Sequence, residues 1–505
     1  MKVCLISPPT SRVQDELFFP MGLVAIGTAA REGGFDIEIL DLDLELRRQP
    51  ELRHDFAAFE AYVRREARNR EARVFGISSI CSNYPYALEI GEWIRQERPD
   101  AKIVFGGPQP SSVAPATMEA YPSIDVIVVG EGEVGFLELL RSDWSPDSLS
   151  KILGICYREN GELRSTPPRP LLEDLDSLPI PDFSLVDLRA YKHGHVWPAM
   201  IEAGRGCPFR CNFCSTAEMW VRKYRVKSPQ RIYREMEILN AEYGMGYFSL
   251  THDNFTTSPV YNRKFCRWFL ENNRKGFSWD ASARTDTVTI DDLDLMHRAG
   301  CRGLFFGVDS GSPRIQDLID KHLDLEEFKS ILLEAVKLGI PVTTSFIVGF
   351  PEETVEELDA TISLGLWSKY AGAREVQFHR LSPLASTKVY AKNSGNLRFS
   401  PVVSDMSIII MSDFGLLRKI NRHPSLFSSF FEIPMPAVPD IDMFCFSNFY
   451  HALVNDIGAP LYGYLKKRNV SPVGFYQGWY AQNRQTEYSR LLTKPYVLDT
   501  VVECF

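Results

Sequence analysis

The 505-residue chain has no uninterrupted apolar stretch approaching the ~20 residues that a bilayer-spanning helix needs, so a membrane-embedded protein is not expected. Cysteine is scarce. Ten in a chain of 505 are too few for a disulfide scaffold, yet three of them crowd into eight positions, which points to metal rather than to cross-linking. A surplus of positive charge is also missing: 56 Lys and Arg stand against 65 Asp and Glu, a formal charge of −9, so no global field draws the chain to nucleic acid or to an anionic membrane. The opening MKVCLISPP runs from a short β-branched stretch into a Pro turn without a signal peptide's apolar core and cleavage site, and a cytoplasmic location is expected. No Gly-x-Gly-x-x-Gly follows the first apolar run, which argues against a dinucleotide site. What remains is ordinary globular material, 45% hydrophobic and 24% charged, long enough for two to four domains.

Residues 1–145 alternate short apolar runs with amphipathic stretches. VCLIS (Val3 to Ser7), IEIL (Ile37 to Leu40), VFGIS (Val74 to Ser78), IVFGG (Ile103 to Gly107) and VIVVG (Val126 to Gly130) read as buried parallel strands. Such alternation predicts an α/β fold with an open doubly wound parallel sheet, whose ligands bind beyond the carboxyl ends of the strands. Residues 146–190 hold a hairpin pivoting on Asn160-Gly161 and then a Pro-rich linker. From 191 to 392 the alternation restarts with six β/α units, two short of a closed eight-fold barrel, so a partial barrel is expected. Residues 393–505 lose the alternation, become dense in aromatics, and read as a mainly helical C-terminal region that caps the barrel and selects the substrate.

The chemistry concentrates in GRGCPFRCNFCST, directly after the first strand of the second unit. Cys207, Cys211 and Cys214 are spaced so that a short loop returns three sulfurs to one point. Three thiolates leave one coordination position open. A zinc site completed by His193 or His195 is the alternative. The other cysteines, Cys4, Cys81, Cys156, Cys266, Cys301, Cys445 and Cys504, lack clustered spacing and read as structural.

Residues 198 to about 390 resemble the radical S-adenosylmethionine (SAM) superfamily, whose signature is this cysteine spacing on the loop after the first barrel strand. The resemblance implies a [4Fe-4S] cluster on Cys207, Cys211 and Cys214, with SAM chelated to the iron that no cysteine holds. It also implies SAM contacts. Phe213 and the strand residues Ile347 and Val348 would flank adenine, Asp309 and Ser310 would lie near the ribose and carboxylate, and Arg284 would pair with the carboxylate. The superfamily's Gly-Gly-Glu, which holds the SAM amino group at the second strand, is replaced by THDNFT with His252, Asp253 and Asn254, of which Asp253 is the candidate SAM contact that the resemblance implies.

The N-terminal unit, with VFGGPQPSS and GEGE at its turns, is similar to the cobalamin-binding subgroup of that superfamily, the class B methyltransferases. This implies a Rossmann-like cobalamin domain, with Ser78, Ser79, Gly106, Gly107, Pro108, Glu131, Gly132 and Glu133 as contacts. The Asp-x-His-x-x-Gly motif that supplies a histidine to cobalt is absent; His54 stands in LRHDF instead. The subgroup implies C-methylation of an unactivated carbon in a natural-product or peptide intermediate, with electrons from a donor such as flavodoxin or ferredoxin. A radical cyclase, ring-contraction or oxidation enzyme with the same cofactors is the alternative within the class, and a non-catalytic cobalamin or iron–sulfur binding protein the alternative outside it.

Overall fold

The computed structural model describes residues 1–10, 17–53, 55–193, 199–400 and 414–502. Its first sheet has seven strands: β1 (Lys2–Ser7), β2 (Asp36–Asp41), β3 (Val74–Ser78), β4 (Lys102–Gly106), β5 (Val126–Val128), β6 (Ile155–Glu159) and β7 (Glu162–Ser165), in spatial order β2-β1-β3-β4-β5-β6-β7. The first five are parallel, and the β6–β7 hairpin adds antiparallel to β5, so it extends this sheet. Asn160 and Gly161 both take positive φ, 52° and 85°, as a two-residue turn matched to strand twist demands. Strand order reverses between β1 and β3, and at that switch point the turns leave a crevice.

The Pro-rich linker is pinned along the first domain. Tyr191 donates to Asp41 at 2.6 Å, Arg31 pairs with Asp182 at 2.6 Å, and the ring of Phe19 meets Phe183 and Tyr191 edge-on.

The second sheet begins with β8 (Met200–Glu202). A small antiparallel ribbon, β9 (Gly204–Arg205) with β10 (Arg225–Val226), then closes off the cysteine loop. Five further strands follow: β11 (Tyr247–Thr251), β12 (Ser278–Ala283), β13 (Cys301–Asp309), β14 (Val342–Val348) and β15 (Glu375–Arg380). All six long strands are parallel, in the order β15-β14-β13-β12-β11-β8. This is the open (β/α)6 arrangement expected from the sequence. The helices between them start at local signals. Ser228 caps Pro229–Tyr243 by accepting from Arg231 N–H, and Thr289 with Asp292, then Thr354 with Glu357, form capping boxes.

The C-terminal region serves two surfaces. Helix Met443–Arg468 lies along the edge of β15, where the Asn455 amide accepts from Val376 N–H and donates to Val376 C=O, both at 2.9 Å. Its Phe446, Phe449 and Tyr450 meet Tyr476 and Trp479 of helix Pro472–Asn483 in a buried aromatic seam. Residues 416–431 instead join the core of the first domain: Phe427 packs on Tyr84, Lys419 pairs with Glu89 at 2.5 Å, and the Gln109 amide donates to Leu426 C=O at 2.9 Å.

Candidate functional site

The cysteine loop leaves β9 through Gly206, whose φ is +89°; a Cβ there would fall 1.9 Å from Lys223 C=O. Only glycine lets the two arms of the ribbon approach this closely. Asp253 ties the loop at both ends, Oδ2 accepting from Gly206 N–H at 2.7 Å and Oδ1 from the Thr216 hydroxyl at 3.1 Å. Cys207, Cys211 and Cys214 are half-buried, whereas the other described cysteines are buried free thiols. Burial pushes the Cys207 thiol up to about 11, so metal must displace its proton.

Cys211 faces a charged cluster. Arg284 Nη1 stands 3.8 Å from its sulfur; the same guanidinium stacks over Phe209, is held by Asp286 at 2.9 and 2.6 Å, and donates to Lys321 C=O. Lys321 is buried, pairs with Asp309, and donates to Gly307 C=O at 2.7 Å. Asp309 itself sits at φ +67°, uncommon for a residue other than glycine. Burial raises the Cys211 thiol, while Lys321 and Arg284 pull it back. Three thiols on one loop beside two cations suit an iron–sulfur cluster. For the zinc alternative, His193 is exposed, and His195 lies outside the described residues.

The SAM residues divide. Phe213 and Ile347 join one apolar cluster with Phe350, whose ring meets Phe213 at 5.7 Å. Arg284 and Asp309 meet through Lys321. Ser310 is fully buried, its hydroxyl 3.3 Å from Thr361 and accepting from Ser312 N–H, so it braces a turn. Val348 is buried with Phe346, Phe378 and the flanking helices, on the face of β14 opposite to Ile347. Sequence reasoning missed Lys321 and Glu353. The buried Glu353 carboxylate receives Gly349 and Phe350 N–H at 2.7 and 3.0 Å and holds the turn after β14.

Beside the cysteine loop, His252 accepts Asn254 N–H on Nδ1 at 2.9 Å. Burial outweighs Asp253, the backbone of Arg225 and Glu202, and lowers its pKa to about 4. The unfolded chain therefore binds a proton here at higher pH than the folded one, so this contribution is intact above pH ~6.5 and lost as pH falls toward 4. Urea titrations across that window should show about 3 kcal/mol of this loss in the native sequence and a flatter profile in His252→Gln.

At the switch point of the first sheet lies an open cavity of about 200 Å³. Ser78, Gly106, Gly107, Pro108, Glu131, Gly132 and Glu133 line it from the first domain; Glu202, Arg205 and Trp220 line it from the second. Ser79 does not reach it. It is buried, and its hydroxyl donates to Asn83 at 2.8 Å. At Gly22 and Gly130 a Cβ would meet nothing within 4 Å, so bare backbone faces the cavity there beside the apolar side chains of Leu23, Ile26 and Phe136, a surface suited to a broad flat ligand such as a corrin. His54 lies outside the described residues, as does Cys504.

The two glutamates of GEGE are committed elsewhere. Glu131 Oε1 accepts from Arg205 at 2.7 Å and Arg225 at 2.9 Å, and Oε2 accepts from Leu172 N–H at 2.8 Å. Glu133 accepts from Arg205 at 2.5 Å. All four side chains are buried; burial disfavours the Arg205 charge, but Glu133 and Glu202 keep its pKa above the ordinary value. The network joins the turn after β5 to both strands of the ribbon that carries the cysteine loop.

Known proteins agree with this layout. The profile of the radical SAM superfamily matches residues 201–365, and that of the B12 binding domain matches residues 15–140. An uncharacterized methyltransferase, PH0819, of Pyrococcus horikoshii is 31% identical over 77% of this chain and 82% of its own. An anaerobic magnesium-protoporphyrin IX monomethyl ester cyclase of Synechocystis is 28% identical over 61% of each chain. The radical SAM methyltransferase TsrM from Kitasatospora setae, solved with cobalamin and a [4Fe-4S] cluster, superposes with a TM-score of 0.64 at 19% identity, covering 87% of this chain and 85% of that one, and so shares its fold. No helix among the described residues is long and apolar enough to cross a membrane. With both cofactor domains in series on one chain, the protein belongs to the B12-binding branch of the radical SAM superfamily, and its cofactors are a [4Fe-4S] cluster, SAM and cobalamin.

Proposed function

We propose that the protein is a methyltransferase acting on an unactivated carbon of a small-molecule or peptide intermediate. The observation that carries this reading is the cavity between the domains: the carboxyl edge of the first sheet and the ribbon of the cysteine loop form one wall-to-wall site, joined by Glu131, Glu133, Arg205 and Arg225. Cys207, Cys211 and Cys214 would hold the cluster, which with SAM would supply a hydrogen-abstracting 5'-deoxyadenosyl radical, and cobalamin at the cavity would supply a transferable methyl group. The chain's own residues position and enclose. Asp253 and Gly206 fix the loop, Arg284 and Lys321 place positive charge beside Cys211, and Phe213 with Ile347 offers an apolar seat.

For the substrate, a cavity of about 550 Å³ opens at the ends of β14 and β15, bounded by Gly349, Arg380, Leu381 and the Pro-rich segment 432–443. Its mixed lining, Arg380 and Glu432 beside Met435 and Ile441, suits a polar small molecule or peptide segment. Electrons would come from a flavodoxin or ferredoxin. The methyltransferase relative aligns over 77% of this chain and the cyclase over 61%, which favours methyl transfer over cyclisation.

The test needs no substrate. Protein reconstituted anaerobically with iron, sulfide and hydroxocobalamin is reduced and given SAM bearing a deuterated methyl group. Labelled methylcobalamin together with S-adenosylhomocysteine is expected. Formation of 5'-deoxyadenosine without labelled methylcobalamin would favour the cyclase reading, and neither product would remove both.

A further inference from the structure

Trp220 lies six positions past Cys214 and lines the cavity between the domains. Arg205 and Arg225 approach its ring at 5.9 and 5.4 Å, so the buried ionic network grips it from the second domain. Its Cβ also reaches the cysteine loop: a methyl group on Gly206 would come within 3.1 Å of it.

The backbone that delivers this ring is unusual. Val221 and Arg222 both have positive φ, 48° and 55°. A β-branched residue rarely occupies that region, and Val221, 69% exposed, gains nothing from packing there. Neither residue is the glycine that such a turn favours. The turn is nevertheless closed by Lys223 N–H on Trp220 C=O at 2.9 Å and Arg222 N–H on Ala217 C=O at 3.1 Å. Strain of this kind persists where the surroundings over-determine a conformation, and here its result is an indole placed at the cavity that Gly22 and Gly130 also line.

Building on the cobalamin assignment, we infer that Trp220 is the aromatic wall against which the corrin packs from the radical SAM side. The first domain offers the cavity backbone and apolar surface, with Leu23, Ile26 and Phe136; the indole gives a flat macrocycle apolar contact from the second. Cation–π contact with Arg205 and Arg225 keeps the ring from folding back.

The experiment uses the full chain labelled with 5-fluorotryptophan, in which Trp220→Phe identifies the Trp220 signal among the eight tryptophans by fluorine-19 NMR. On adding hydroxocobalamin, that signal should shift more than the signals of tryptophans buried in the barrel and C-terminal cores, such as Trp279 and Trp479. Hydroxocobalamin affinity should fall about tenfold in Trp220→Ala and stay within about threefold in Trp220→Phe, which keeps an aromatic face. Iron content of four per chain after reconstitution verifies that the cysteine loop survives each substitution. An unmoved Trp220 signal in protein that retains cobalamin, or equal affinity in Trp220→Ala, overturns this inference and leaves the cofactor assignment intact. A wild-type chain that retains no cobalamin overturns both.

Discussion

Cys211→Ala is expected to abolish reductive cleavage of SAM, with 5'-deoxyadenosine falling more than about 100-fold, because removing even the hydrogen-bond partners of metal ligands costs roughly 10–100-fold. Cys211 is the most informative of the three positions. Its sulfur faces Arg284 at 3.8 Å and shares its surroundings with Lys321 and Asp309, so its loss leaves two cations next to an incomplete donor set. The fold should tolerate the change. The side chain is half-buried on a loop anchored by Gly206 N–H and the Thr216 hydroxyl on Asp253, bonds that do not involve the thiol. Far-UV circular dichroism should match the native protein while iron content drops and 5'-deoxyadenosine disappears from the chromatogram. Cleavage at the native rate would refute the cluster assignment for this loop.

The second large effect is on stability and on the gap between the domains. Glu131→Ala should cost about 3–5 kcal/mol, since removing one member of a buried ionic group strands the others without compensation. Here the buried Arg225 loses its carboxylate partner and Leu172 N–H its acceptor, while Arg205 keeps Glu133 and Glu202. Glu131→Gln should recover part of this loss, because an amide oxygen still accepts two of the bonds. Thermal unfolding read by the fluorescence of bound and free protein would register the difference. A second readout is hydroxocobalamin affinity, which should weaken because the turn after β5 and the ribbon β9–β10 both form the walls of that cavity. A Glu131→Ala protein that melts like the native one would show that the network adds specificity rather than stability.

Local features were legible in the sequence. The cysteine spacing lies within eight residues, and the buried parallel strands announce themselves as short apolar runs, so VFGIS coincides with β3 residue for residue. Asn160-Gly161 carries its turn geometry in its own side-chain chemistry. What escaped was set by distance along the chain. Lys321 meets Asp309 across a turn and helix, and Glu131 meets Arg205 across 74 positions. Neither pairing leaves a periodic trace. Side-chain direction was the other blind spot: Ser79 and Ser310 sit in the expected turns, but packing against Asn83 and Thr361 turns their hydroxyls inward. The docking of residues 416–431 onto the first domain, more than 300 positions from Glu89 and Gln109, was equally invisible.

A barrel that stops at six strands exposes a rim of backbone donors and acceptors, and such a rim is a template for recruiting a foreign strand. The Asn455 clamp on Val376 offers the rim a side-chain amide in place of the peptide group that a seventh strand would bring. His451 of the same helix accepts Phe378 N–H at 3.4 Å, so side chains of one helix occupy the edge of β15 that another copy of the chain would need for edge-to-edge stacking.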